Sequence, residues 1–132
     1  MNCRGRIAAG AISLLIYLII FLLSSLPAGS LPSSLPDFIP HALEYFALAF
    51  FVIQMFRRHA RRPAVVFIMI AILAILDEWH QLSVPGRVFS WLDWIYDLTG
   101  GAVGMACFRF LEKAQVQNNG LARRLNFLLL NR

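Results

Sequence analysis

Residues 7–26 run for twenty positions without a single charged side chain. A helix of that length spans about 30 Å, the thickness of the hydrocarbon core of a bilayer. Three more segments are similarly long and mostly apolar: 38–56, 64–82 and 91–111. A chain of 132 residues cannot hide four such runs from water, because a small domain buries only part of its surface on folding. Composition agrees, with 59% hydrophobic residues, 14% charged residues and a mean hydropathy of +0.67. Soluble domains carry about 25% charged residues. The pattern predicts an all-α membrane protein with one domain (1–132), built as a bundle of four transmembrane helices. It excludes a soluble enzyme, a disulfide-stapled secreted module and a disordered tail.

What joins the runs is short: a Pro/Ser-rich loop (27–37), a basic hinge (57–63), a turn (83–90) and a tail (112–132). Arg4 and Arg6 precede the first run, and small residues follow it near Ala28–Ser30, as in a signal peptide. The run exceeds the about 7–15 residues of a signal h-region, so a retained span is expected. Orientation follows from basic residues, which are in excess on the cytoplasmic side. Arg4, Arg6, Arg57, Arg58, Arg61, Arg62, Arg109, Lys113, Arg123, Arg124 and Arg132 all fall on one side of a four-span chain, and Arg87 alone on the other. Both termini are therefore expected in the cytoplasm. The net charge of +5 and pI near 10.0 then report topology, and no nucleic-acid partner is implied. Cys3 and Cys107 lie toward the reducing side, where a structural disulfide is not expected. The tail 120–132 reads as a short helix on the inner leaflet or as a frayed end.

The acidic residues are distributed the opposite way. Glu112 is the one acid on the basic side, while Asp37, Glu44, Asp77, Glu78, Asp93 and Asp97 gather toward the outer face. An ionised side chain costs about 2.5–3.5 kcal/mol at the bilayer centre, so such groups turn into the bundle and pair. His41 and Glu44 are i,i+3 and share a face of the second helix. Glu78 and Gln81 are i,i+3, and Asp77 and Gln81 i,i+4, on the third. Asp93 and Asp97 are i,i+4 on the fourth, and their stripe continues through Gly100, Gly101 and Gly104. Gly100-x-x-x-Gly104 is a small-xxx-small pattern for close helix packing. The spacing thus predicts a polar cluster near the outer face, facing inward.

Four stretches in order carry a family resemblance: His41-Ala-Leu-Glu44-Tyr45-Phe-Ala-Leu48, Asp77-Glu78-Trp-His-Gln81, Pro85-Gly86-Arg87-Val-Phe-Ser90-Trp-Leu-Asp93 and Asp97-Leu-Thr-Gly100-Gly-Ala-Val-Gly104. Together, across about half the chain, the sequence resembles the VanZ-like family of small bacterial membrane proteins. One departure is Asp97, where the family pattern often has Asn. The resemblance implies a multi-pass protein of the bacterial cytoplasmic membrane with a role in the cell envelope. It also implies a link to antibiotic resistance, since the family takes its name from a protein that lowers susceptibility to the glycopeptide teicoplanin.

Structural roles compete with functional ones at several positions. Asp37 is placed to cap the second helix, with Pro40 tolerated in its first turn. Ser90-x-x-Asp93 has the form of a capping box, and Asp93 can serve as cap, as site residue or as both. Asp77 and Glu78 are about 100° apart on a helix, so one of them is expected to face the centre, and Glu78 with Gln81 is the choice. His80 is expected at the interface, and Trp79, Trp91, Trp94 and Tyr96 as an aromatic belt. Arg87 either ties its turn to a carboxylate or meets a ligand's phosphate or carboxylate with its forked guanidinium. Ser24 and Ser25 have no base at recognisable spacing, so a serine nucleophile is set aside.

If His41, Glu44, Glu78, Arg87 and Asp97 converge, crowded acids need a proton, an imidazolium or a bound cation. Two functions fit. In the first, the outer surface binds an envelope lipid headgroup, a cell-wall precursor or a partner protein, and Arg87 pairs with a carboxylate. Where a phosphate-bearing substrate is handled instead, Arg87 grips it, and Arg87, Gln81 and Asp93 are the candidate substrate-binding residues. In the second, a hydrolase or transferase uses His41, Glu44, Glu78 and Asp97 on a lipid-linked phosphate, with a divalent metal held by His41, Glu44 and Glu78 as an allowed cofactor. The first is favoured, because no complete catalytic motif is present. Ion passage is disfavoured, because the inner halves of the helices are plainly apolar. The lipid bilayer is the one partner the sequence requires, and oligomeric state has no sequence marker.

Overall fold

Lipid offers no hydrogen bonds, so a chain that crosses it must satisfy its backbone internally. In the computed structural model, all four apolar segments are helical: α1 (Cys3–Ser24), α2 (Phe38–Met55), α3 (Arg62–Gln81) and α4 (Trp91–Leu130). The structure describes residues 3–28, 30, 36, 38–56 and 62–130, with only the backbone at 62 and 121–130. Asp37, expected to cap α2, lies outside the described residues, as do the arginines at 57, 58, 61 and 132. Three helices are long and apolar enough to cross a membrane: Cys3–Ser24, Phe38–Met55 and Pro63–Gln81. The fourth does not reach that hydropathy, because Asp93, Asp97, its glycines and Arg109 interrupt the apolar run.

The fourth helix continues beyond the expected span 91–111 into the tail and runs for 40 residues, about 60 Å at 1.5 Å per residue. Residues 112–119 are mostly good helix formers with no proline, so nothing in the backbone ends the helix there.

Packing centres on α2, whose Tyr45, Leu48, Ala49, Val52 and Ile53 are all buried. Ile20 of α1, Val66, Ile70 and Ala74 of α3, and Met105 of α4 complete the core. Leucines and isoleucines such as Ile7, Leu14, Leu22, Ile68 and Leu76 point outward, as a lipid-facing surface requires. α2 and α4 run parallel in intimate contact. A Cβ on Gly100 would collide with the backbone carbonyl of Ala42, and one on Gly104 with that of Phe46. On the adjoining face, a Cβ on Gly101 would lie 2.8 Å from Ile70 Cγ2 of α3. α1 and α3 run the other way. Arg6 Nε donates to Met55 O at the far end of α2, at 3.0 Å.

At the opposite end, the turn after α3 folds onto the loop after α1. Gly86 supplies the positive φ (78°) that this turn needs. Ala28 N–H then donates to Pro85 O at 3.3 Å, and Arg87 Nε to Leu26 O at 3.3 Å. These ties leave the C-terminal ends of α1 and α3 level with the N-terminal ends of α2 and α4. Cys3 is exposed, Cys107 is partly buried, and both are free thiols.

Candidate functional site

The buried stripe of α3 begins apolar at Val66, Ile70 and Ala74 and turns polar at Asp77, Glu78 and Gln81. On α4 the buried face carries Asp97 above Gly100, Gly101 and Gly104. On α2, His41 stands one turn before the buried Tyr45. Because these helix ends are level, the polar residues of all three meet in one place.

His41 sits between two acids of α4. Its Nδ1 is 3.0 Å from Asp97 Oδ1, and its Nε2 is 3.9 Å from Asp93 Oδ2. An ionised carboxylate only accepts, so Nδ1–H is assigned as the donor to Asp97. Asp97 is fully buried, whereas the side chains of His41 and Asp93 keep 14% and 24% of their exposure. One edge of the cluster therefore reaches the end of the bundle.

Glu78 is also fully buried. Its Oε2 accepts the Ser90 backbone N–H at 2.8 Å, and its Oε1 accepts Gln81 Nε2–H at 3.2 Å. Ser90 Oγ in turn accepts the Asp93 backbone N–H at 3.2 Å. The backbone of Asp93 thus serves the cap while its carboxylate faces His41. One donor atom from each of His41, Glu78 and Asp93 lies within 4.8 Å of the others.

The expectation that one of Asp77 and Glu78 turns inward is corrected, since Asp77 is only 2% exposed. The two carboxylates diverge into different neighbours. Asp77 Oδ2 accepts a hydrogen bond from Ser24 Oγ of α1 at 2.7 Å and a long one from Gln81 Nε2 at 3.5 Å. Gln81 is itself buried and links the two acids from within. Ser24 and Asp77 are the residues that sequence reasoning left out of the site.

Three buried oxygens have no hydrogen-bond partner among the described residues: Tyr45 OH, Asp77 Oδ1 and Asp97 Oδ2. Buried groups of this kind each cost about 1–3 kcal/mol when left unpaired.

The remaining candidates lie around this cluster. Glu44 is half-buried, outside the group of three, and within electrostatic reach of His41, Asp77 and Arg87. Arg87 ties its turn to the Leu26 carbonyl, and among the described residues it forms no ion pair. His80 lies against α1, with Nε2 2.9 Å from Ser25 Oγ and its ring stacked on Phe21 at 4.3 Å. Trp79 and Trp91 are exposed, as a belt requires, but Trp94 packs inward and donates its indole N–H to Ala71 O at 3.2 Å.

A family model described as VanZ/LLP1 matches residues 9–112, a stretch that holds every residue of the cluster. No curated protein matches the chain, and neither does any solved structure. With most of its length matched, the chain belongs to the VanZ/LLP1 family.

Proposed function

We propose that this protein crosses the bacterial cytoplasmic membrane four times with both termini inside, and that its polar cluster binds an envelope component at the outer face. α4 crosses as the fourth helix, its acids shielded by α2 and α3. The observation that carries the reading is the meeting of His41, Glu78, Asp93 and Asp97 at one end of an otherwise apolar bundle, with Asp93 and His41 partly open. A membrane protein carries buried ionisable groups at a cost, and they cluster where a ligand is handled. The acceptor-rich edge suits hydroxyl or ammonium donors on the headgroup of an envelope lipid or lipid-linked cell-wall precursor. Arg87, on the adjoining turn, meets that headgroup's phosphate.

Binding of this kind at the cell surface lowers susceptibility to teicoplanin-type glycopeptides, in keeping with the family's namesake. The test is expression in a susceptible Gram-positive host, with membrane abundance matched by immunoblot. The wild-type chain is expected to raise the inhibitory concentration, and His41→Ala and Asp93→Asn to return it to that of the empty host. An unaltered wild-type response rejects the resistance role. Full activity in both variants rejects the cluster as the binding site.

A further inference from the structure

We infer that His41, Glu78 and Asp93 form a divalent-cation site of the Zn²⁺ or Mn²⁺ class, with Asp97 as the residue that orients the histidine. The three side chains come from three helices, yet each brings a donor atom within 4.8 Å of the other two. Bonds to zinc from nitrogen and carboxylate oxygen are about 2.0–2.2 Å long, so two donors of one tetrahedral ion stand about 3.4 Å apart. His41 Nε2 and Asp93 Oδ2 already stand at 3.9 Å.

The surroundings of each ligand fit this role. A metal-bound imidazole characteristically donates its other N–H to a carboxylate, which fixes its tautomer and ring plane. Here Nδ1–H of His41 is directed to Asp97 Oδ1 at 3.0 Å, leaving Nε2 toward Asp93. Glu78 is held by Ser90 N–H and Gln81, one bond to each oxygen. A carboxylate has about four acceptor positions, so each oxygen keeps a lone pair for an ion.

Charge supplies an independent argument. Among the described residues no lysine or arginine is paired with the buried acids, and His41, donating from Nδ1 and binding a metal through Nε2, is neutral. Asp97, fully buried against that histidine, still has one oxygen without a partner. A dication beside His41 supplies the positive charge that the protein does not. One imidazole and two carboxylates favour Zn²⁺, Mn²⁺ or Fe²⁺ over Mg²⁺ and Ca²⁺, which prefer oxygen alone. Three protein ligands also leave coordination positions open to water or to a ligand oxygen. The site stands whether or not an envelope component binds there.

Metal content and affinity of the full-length protein in detergent test the inference directly. Chelator-stripped protein is re-equilibrated separately with Zn²⁺, Mn²⁺ and Mg²⁺, and metal is measured by mass spectrometry alongside size-exclusion profiles. The wild type is expected to retain about one equivalent of Zn²⁺ or Mn²⁺ per chain and no Mg²⁺. His41→Ala and Asp93→Asn should retain none, and Asp97→Asn should bind roughly 10–100-fold more weakly. Ser83→Ala, an exposed change at the same end, should match the wild type. Co²⁺ added to wild-type protein should give visible absorption bands, a readout that needs no variant to fold. Folded wild-type protein that holds neither Zn²⁺ nor Mn²⁺ and stays colourless with Co²⁺ overturns the inference, as does normal binding by His41→Ala and Asp93→Asn. Because metal is measured without reference to drug susceptibility, a metal-free protein that still confers resistance separates this failure from failure of the binding reading.

Discussion

Glu78 Oε2 accepts the backbone N–H of Ser90 at 2.8 Å, so the last turn of α3 caps the first turn of α4. In a capping box the acid three residues into the helix would fill that position. Here the acid comes from the preceding helix, and Asp93 is released toward His41. The bond also brings a carboxylate to the positive end of the α4 dipole.

Two substitutions at Glu78 separate its capping from its charge. Glu78→Gln keeps an acceptor for Ser90 and should unfold within about 1 kcal/mol of the wild type. Glu78→Ala leaves Ser90 N–H and Gln81 without their partner and should be destabilised by about 1–3 kcal/mol. Thermal unfolding in detergent, followed by circular dichroism, distinguishes the two. Equal melting temperatures for the alanine variant and the wild type would remove Glu78 from the cap.

The glycines of α4 predict a graded response. A methyl group at Gly100 or Gly104 meets the α2 backbone at Ala42 or Phe46, which cannot rotate away. At Gly101 the obstacle is Ile70 Cγ2 at 2.8 Å, the end of a side chain that can shift. Gly100→Ala and Gly104→Ala should each lose most folded protein, since overpacking typically costs about 1–3 kcal/mol and rigid backbone resists more. Gly101→Ala should be the mildest. Monodisperse yield after extraction gives the ranking, and a reversed order would contradict the close α2–α4 packing.

Ser24 and Asp77 form the polar tie between α1 and the rest of the cluster. Removing the hydroxyl in Ser24→Ala leaves Asp77 with the 3.5 Å contact to Gln81 as its one remaining hydrogen bond among the described residues. The expected loss is about 1–3 kcal/mol. In a double-mutant cycle with Asp77→Ala, which removes the acceptor, the combined change should fall short of the sum of the single ones. Strict additivity would mean the two side chains do not interact.

Much of the cluster was legible because helical spacing turns sequence into faces. Glu78 with Gln81, and Asp93 with Asp97, sit where i,i+3 or i,i+4 geometry puts them, whereas Glu44, expected beside His41, stands outside the group of His41, Glu78 and Asp93. Periodicity alone misjudged Asp77, because it counts faces on one helix and does not know how many neighbours surround it. The end of α3 is enclosed by α1 on one side and the start of α4 on the other, so both adjacent acids are buried. Ser24 had a faint signal: Ser13 and Ser24 are eleven residues apart, about three turns, and both lie on the buried face of α1. Its partner, 53 positions away, had no local mark. The full length of α4 was only partly legible, because its apolar run ends near residue 111 while the helix formers that follow carry the helix on to Leu130.

The remaining prediction concerns which way the bundle faces. The proposed orientation, with basic residues inside, requires the turn holding Val88 to be extracellular and Lys113 to be cytoplasmic. Val88 is 75% exposed, so a cysteine there is open to reagent. In a background with Cys3 and Cys107 replaced by alanine, Val88→Cys should react with a membrane-impermeant maleimide on intact cells. Lys113→Cys should react only after the cells are permeabilised. Labelling of both positions on intact cells would contradict four crossings, since they flank α4, and the reverse pattern would place the His41–Asp97 cluster at the cytoplasmic face.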